Sequence, residues 1–110
     1  MTTVSFTPQG PSHRIAYADD STEVSVLAGG ATSWLVFNPD NTHAACVNFG
    51  FTDNDVDAIM PLNGTPGRGT VIGQRQQVII SVPQCAYAAQ VYVSVAGDGG
   101  TGNVFLTPGA

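Results

Sequence analysis

Alternate carboxylates in Asp53-Asn54-Asp55-Val56-Asp57 resemble the opening of a calcium loop, in which oxygen ligands at odd positions hold a divalent ion. The pattern then breaks. Such a loop needs glycine at its sixth position and glutamate at its twelfth, where this chain has Ala58 and Gly64, and no helical pattern flanks it. A solvated acidic loop is expected. Zinc fares no better: His43 and Cys46 lie three apart, which on a strand sends their side chains to opposite faces, and no C-x-x-C or H-x-H spacing occurs. A cupin-like site needs a histidine cluster with a carboxylate, and a blue-copper site needs a histidine shortly after its cysteine. Neither Cys46 nor Cys85 has such a follower. Nucleophilic catalysis needs a base beside Ser or Cys, yet no Gly-x-Ser-x-Gly elbow is present, and His13 and His43 have no recognisable partner. The run Gly97 to Gly102 lacks the lysine and the following helix of a phosphate cradle. No cofactor, no metal and no enzymatic activity are expected. Among the aromatics, Trp34 reads as core and Tyr92, out of phase with Val91, Val93 and Val95, as the exposed one. An exposed tyrosine suits an interface anchor or a contact to sugar.

The elements that carry these residues read as strands from end to end, because apolar residues recur with period two and no 3.6-residue pattern is sustained. Val4 and Phe6 share one face of a first strand that Pro8-Gln9-Gly10-Pro11 ends. His13 to Ala18 follows, with Ile15 and Tyr17 on one side. Thr22 to Leu27 comes next, where Val24 and Val26 alternate with polar Glu23 and Ser25. Ser33 to Phe37 is apolar on both faces, as in a central strand covered on each side. Asn38-Pro39-Asp40-Asn41 has the chemistry of a tight turn, so a hairpin into Ala44 to Phe51 is expected, with Val47, Phe49 and Phe51 on one face. Thr52 to Gly69 is irregular, the kind of long loop that is usually functional or mobile. Val71-Ile72 and Gln76 to Val82 are further strands. Pro83 stops the second of these, and Tyr87 to Ala96 is the longest alternation. A glycine-rich hairpin loop then leads into Asn103 to Thr107. Eight or nine short strands with a turn about every ten residues predict an all-β chain: an antiparallel two-sheet sandwich, jelly-roll-like, forming one domain over 1–110 with short extended ends.

Composition bears on partners. Eleven of 110 residues are charged, none of them lysine, against roughly a quarter in an ordinary soluble domain. A surface of Thr, Ser, Asn, Gln, Gly and Ala costs little to desolvate, since burying unpaired charge is the expensive step in making an interface. Eight acids against Arg14, Arg68 and Arg75 argue against nucleic acid, which demands clustered positive charge, and against an anionic membrane surface. The acids gather in Asp19-Asp20 and Asp53 to Asp57, while the long strands carry none. No signal-like start and no membrane-length apolar run are read, so synthesis in a cytoplasm is expected. There Cys46 and Cys85 are expected as buried free thiols.

The opening Val4-Ser5-Phe6-Thr7-Pro8, the segment through Phe37-Asn38, Pro83 to Val95 with Tyr87-Ala88-Ala89, and the ending Gly102-Asn103-Val104-Phe105-Leu106-Thr107-Pro108-Gly109 resemble small all-β virion proteins of tailed bacteriophages. The resemblance implies a capsid decoration, or cement, protein. Such a protein binds the outer head surface, clasps neighbouring major capsid subunits, and is often a homodimer or homotrimer. It is made in the host cytoplasm and resides on the virion. The implied working parts are surfaces: the N-terminal segment with Val4 and Phe6, the Asp53 to Gly69 loop, the tail with Phe105, Leu106 and Pro108, the arginines Arg14, Arg68 and Arg75, and Tyr92. The alternative is a tail-associated or receptor-binding, glycan-holding module built on the same sandwich.

Overall fold

Alternation becomes eight strands in the computed structural model, which describes residues 6, 8–17, 24–40, 42–51, 56–61, 63–98 and 101–110. They are β1 (His13–Tyr17), β2 (Val24–Ala28), β3 (Ser33–Phe37), β4 (Ala45–Gly50), β5 (Thr70–Ile72), β6 (Gln77–Ser81), β7 (Gln90–Gly97) and β8 (Gly102–Gly109). Two antiparallel four-stranded sheets result, in the orders β1-β8-β3-β6 and β2-β7-β4-β5. The pairings β1 with β8, β2 with β7, β3 with β6 and β4 with β5 are nested. The chain is thus one long antiparallel ribbon rolled into two layers, with β8 closing on β3 and β7 on β4. This is jelly-roll topology.

Rolling the ribbon overturns two expected hairpins. Asn38 to Asn41 does not return the chain beside β3, because β4 lies in the other sheet; nor does the glycine-rich 97–102 segment, because β7 and β8 also belong to different sheets. Between β3 and β4, and between β7 and β8, the ribbon crosses from one layer to the other. The hairpin that does form joins β4 to β5 through the long irregular stretch. The physical reason is burial: Trp34 and Val36 on β3 and Ala45 and Val47 on β4 are all inward, and opposing layers bury them together as adjacent strands of one sheet would not. Trp34 and Phe49 meet across the core with ring centroids 5.8 Å apart.

The core is the space between the layers. Ile15, Tyr17, Trp34, Val36, Val78, Ile80, Val104 and Leu106 enter it from one sheet, and Leu27, Ala45, Val47, Ile72, Val91, Val93 and Val95 from the other. Full burial of a side chain such as Trp34 or Leu106 stabilises by several kcal/mol, roughly 3–5 for truncating a tryptophan. The Trp34 indole N–H has no hydrogen-bond partner among the described residues. Cys46 and Cys85 are both buried free thiols.

Local alternation is overridden at two places. In β2, Leu27 is inward while Val26 is 49% exposed, because the ladder sets Leu27 opposite Val91 and Ser25 opposite Val93, the inward residues of β7. Cross-strand partners share a face, so the neighbour's valines override β2's own alternation. Tyr87 does not begin a strand either. Pro83 to Tyr87 coils into a short 3-10 helix that leaves Tyr87 95% exposed, and β7 starts at Gln90.

An uncovered neutral sheet face as the candidate functional site

The outer faces of the two sheets are treated differently. On the β2-β7-β4-β5 sheet, residues 56–61 and 63–69 fold back as a flap. Asn48 Nδ2 donates to Val56 O at 2.9 Å, Ala58 N donates to Ser94 Oγ at 2.8 Å, and the Cys46 thiol reaches Arg68 O at 3.2 Å. Ile59 and Arg68 bond each other in both directions, at 3.0 and 2.8 Å, which closes the flap on itself. Ala58 and Met60 pack on Cys46 and Ala96 beneath it. Burial pushes the Cys46 thiol pKa up, as expected of an inert structural cysteine. Gly69 permits this approach: its φ is +118°, and a Cβ there would stand 2.6 Å from Val47 O. The stretch read as a loop for reaching neighbours is therefore, where described, bound to its own sheet.

The β1-β8-β3-β6 sheet has no such cover among the described residues. Its outward positions form rows across the strands: Arg14, Phe105, Phe37 and Gln77 in one, and Thr107, Leu35 and Ile79 in the next. Ala16, Asn103, Ser33 and Ser81 complete the face. Arg14 is its single charged side chain. Leu35, Phe37 and Ile79 are half-buried and Phe105 is exposed. Beside this face, Arg14, Pro39, Asp40, Gly102, Asn103 and Phe105 line a depression of about 210 Å³. Leu35, Gln77, Val78 and Ile79 line a hollow of about 520 Å³ at the β6 side.

Corner chemistry fixes one end of the face. Asn38, fully buried, donates from Nδ2 toward His43 O at 3.0 Å, Gly73 O at 3.3 Å and Ile72 O at 3.4 Å, which ties β3's exit to the β5 end. Asp40 accepts from Thr42 N and Oγ1, both at 2.8 Å, and from the Tyr17 hydroxyl at 3.2 Å. The Thr42 hydrogen bonds hold the Asp40 carboxyl below its ordinary pKa. Burial, then the Asp40 charge, push the Tyr17 phenol up to about 12. These groups brace the corner.

The expected interface residues are dispersed by the fold. Phe105 and Arg14 share the uncovered face. Arg68 belongs to the flap, and Arg75, with φ +56°, to the turn between β5 and β6, so the three arginines form no cluster. Tyr92 is half-buried on the other sheet's outer face, opposite Val26 and Gly50. Leu106 is fully buried and Pro108 is buried opposite Trp34, because β8 is an interior strand and no free tail. Val4 lies outside the described residues. Phe6 is half-buried, and the nearby chain is tied to β8 by a Pro8 to Gly109 bridge and by Gln9 N donating to Pro108 O at 2.8 Å. Asp53 and Asp55 also lie outside the described residues. Among the described residues no three His, Cys, Asp or Glu side chains converge as a metal site would require. Leu35, Phe37, Ile79 and Tyr87 were missed by sequence reasoning. The two-faced apolar run 33–37 carried the signal, but it fits a strand covered on both sides as well as one with an exposed apolar face.

The class that fold and site define is a jelly-roll sandwich with one sheet face that carries a single charge and that no described residue covers. Comparison with protein-family models, curated proteins and solved structures found no match to this chain.

Proposed function

We propose that this chain is a bacteriophage capsid decoration (cement) protein that lies on the outside of the assembled head and joins major capsid subunits through the outer face of its β1-β8-β3-β6 sheet. The observation that carries the reading is that face: apolar at Leu35, Phe37, Ile79 and Phe105, with Arg14 its one charged side chain and small or neutral polar residues at the other positions. Covering it strands no buried charge, and Arg14 sits on an edge strand, where it reaches a neighbour's carboxylate at the rim. Size argues for repetition. Four strands about 4.8 Å apart and five residues of about 3.4 Å each span roughly 300 Å² of projected face, below the roughly 800 Å² per partner of a standard stable interface. Affinity then comes from several contacts made together on adjoining subunits, the arithmetic of a shell-bound cement.

The test is co-sedimentation of the purified chain with preassembled shells that lack it, followed by heating. The parent is expected to pellet with shells and raise their resistance to heat and chelators; Leu35→Lys and Phe105→Lys are expected to stay folded and remain in the supernatant. Failure of the parent to bind, with shell resistance unchanged, refutes the reading. One observation favours the tail-associated, glycan-binding alternative: the near-complete exposure of Tyr87. A few copies per particle and glycan binding that Tyr87→Ala abolishes would establish that alternative instead.

A further inference from the structure

Strand β6 is an edge of its sheet, and its residues Gln77-Val78-Ile79-Ile80-Ser81 contain no charge, no proline and no glycine. Edges of this kind are normally blunted by charged residues, proline or a bulge, since an unpaired row of N–H and C=O groups is a template for another strand. The hydrogen bonds at its two ends fix which groups are free. Val82 N donates to Thr32 O at 2.9 Å, and Asn38 N donates to Gln76 O at 2.9 Å. In an antiparallel ladder bonding alternates residue by residue, so positions 76, 78, 80 and 82 bond to β3. Gln77, Ile79 and Ser81 therefore turn their N–H and C=O outward. No described residue pairs with them.

We infer that β6 pairs with β6 of a second copy, antiparallel about a two-fold axis through Ile79, giving a continuous eight-stranded sheet. In that register Ile79 faces the partner's Ile79, and Gln77 faces the partner's Ser81. These pairs use all six outward groups, and the order polar, three apolar, polar is self-complementary when reversed. Charge is also compatible. Arg75 falls opposite the partner's Pro83, and the two Arg75 residues stand about eight positions, roughly 27 Å, apart along the ladder. Packing gains as well: Val78 and Ile80 are core residues left half-buried by the open edge, and the hollow of about 520 Å³ beside Leu35 and Ile79 lies along the same edge. A two-fold contact of identical strands is closed, so it stops at the dimer. The other three edges fit less well: β1 carries Arg14, β5 has three residues, and β2, uncharged like β6, has the order Val-Ser-Val-Leu-Ala, which sets Ser25 against Leu27 when reversed and so is not self-complementary.

The inference does not rest on the capsid reading, and the dimer is measured in free solution without shells, so either can fail alone. Light scattering or sedimentation of the full chain across a concentration series is expected to show the mass rising from 11.3 kDa to twice that value. Ile79→Lys, whose side chain lies on the outer face, sets like charges opposite each other and is expected to stay monomeric throughout, with an unchanged circular dichroism spectrum. Ile79→Cys places two thiols at a Cα separation of about 5.5 Å, within disulfide reach, and is expected to form a covalent dimer on mild oxidation. Gln77→Cys would hold them roughly 14 Å apart and is expected to form none. A parent that is monomeric at every concentration, or cross-linking by Gln77→Cys as fast as by Ile79→Cys, overturns the inference.

Discussion

Asn38→Ala probes the corner on which the ribbon's fold into two layers depends. The amide is fully buried, and its two N–H bonds are shared among three carbonyls, His43 O, Gly73 O and Ile72 O, while Oδ1 accepts from Asp40 N at 3.2 Å. Truncation removes two donor bonds and one acceptor bond, each worth about 1 kcal/mol net, so a loss of about 3 kcal/mol is expected. At about 4 °C per kcal/mol for a domain of this size, Tm falls by about 12 °C. Asn38→Asp keeps the shape but deletes the donors and aims a carboxylate at three carbonyl oxygens. It is expected to cost more than alanine at pH 7. The sign of its pH dependence follows from the same geometry. A carboxyl held there is favoured neutral, so its folded pKa lies above the ordinary value near 4, and the extra cost grows as pH rises past that value and shrinks below it. Urea denaturation of the three proteins at pH 7 and pH 4 supplies the measurement. An Asn38→Ala protein within about 1 kcal/mol of the parent, or an Asn38→Asp protein at least as stable as the alanine variant at pH 7, would refute the assignment of Asn38 as the corner lock.

The orientation of β2 is checked by Val26→Lys, expected within about 0.5 kcal/mol of the parent, against Leu27→Lys, expected to lose more than about 3 kcal/mol by burying an unpaired charge; equal losses would show that the observed register is wrong. Gly69→Ala forces a side chain into positive φ, 2.6 Å from Val47 O and 3.0 Å from Cys46 Sγ. It is expected to cost about 1–3 kcal/mol and to speed thiol-reagent labelling of Cys46, and unchanged labelling would mean that the flap is not held there. Because the folded-state pKa of Tyr17 is raised from 10.0 to about 12, its contribution to stability is complete below pH 10 and lost as pH rises through about 12. Tyr17→Phe is expected to flatten that part of the alkaline decline, read as the difference between the two stability profiles.

Much of the local structure was legible. Val91, Val93 and Val95 are inward as their alternation predicts, as are Val78 with Ile80 and Ile15 with Tyr17. Trp34 is core, and Pro83 ends β6. The candidate site was less legible. Phe105 and Arg14 were named for it, but Leu106 and Pro108 beside them are interior, because alternate residues of a strand serve opposite faces and the tail proves to be a strand. Tyr92 was preferred to Tyr87 because Tyr87 continues the period of Val91 to Val95. The 3-10 helix after Pro83 breaks that phase before the strand begins.

By itself the sequence determined that this chain is all-β, where its strands fall, and that few charges oppose covering its surface, since these follow from side-chain period, turn chemistry and composition. Tertiary structure alone decided which strands meet. Asn38-Pro39-Asp40-Asn41 and the glycines after β7 bend the chain equally well into a hairpin or across a sandwich, and only the nested pairing of distant strands selects the crossing. That selection turned Leu27 inward and Val26 out, laid residues 56–61 and 63–69 over one sheet, and left the other sheet's sparsely charged face and the β6 edge uncovered by any described residue. The physical reason is that local propensity sets the strand, but burial shared with a partner far along the chain sets its face and its neighbour.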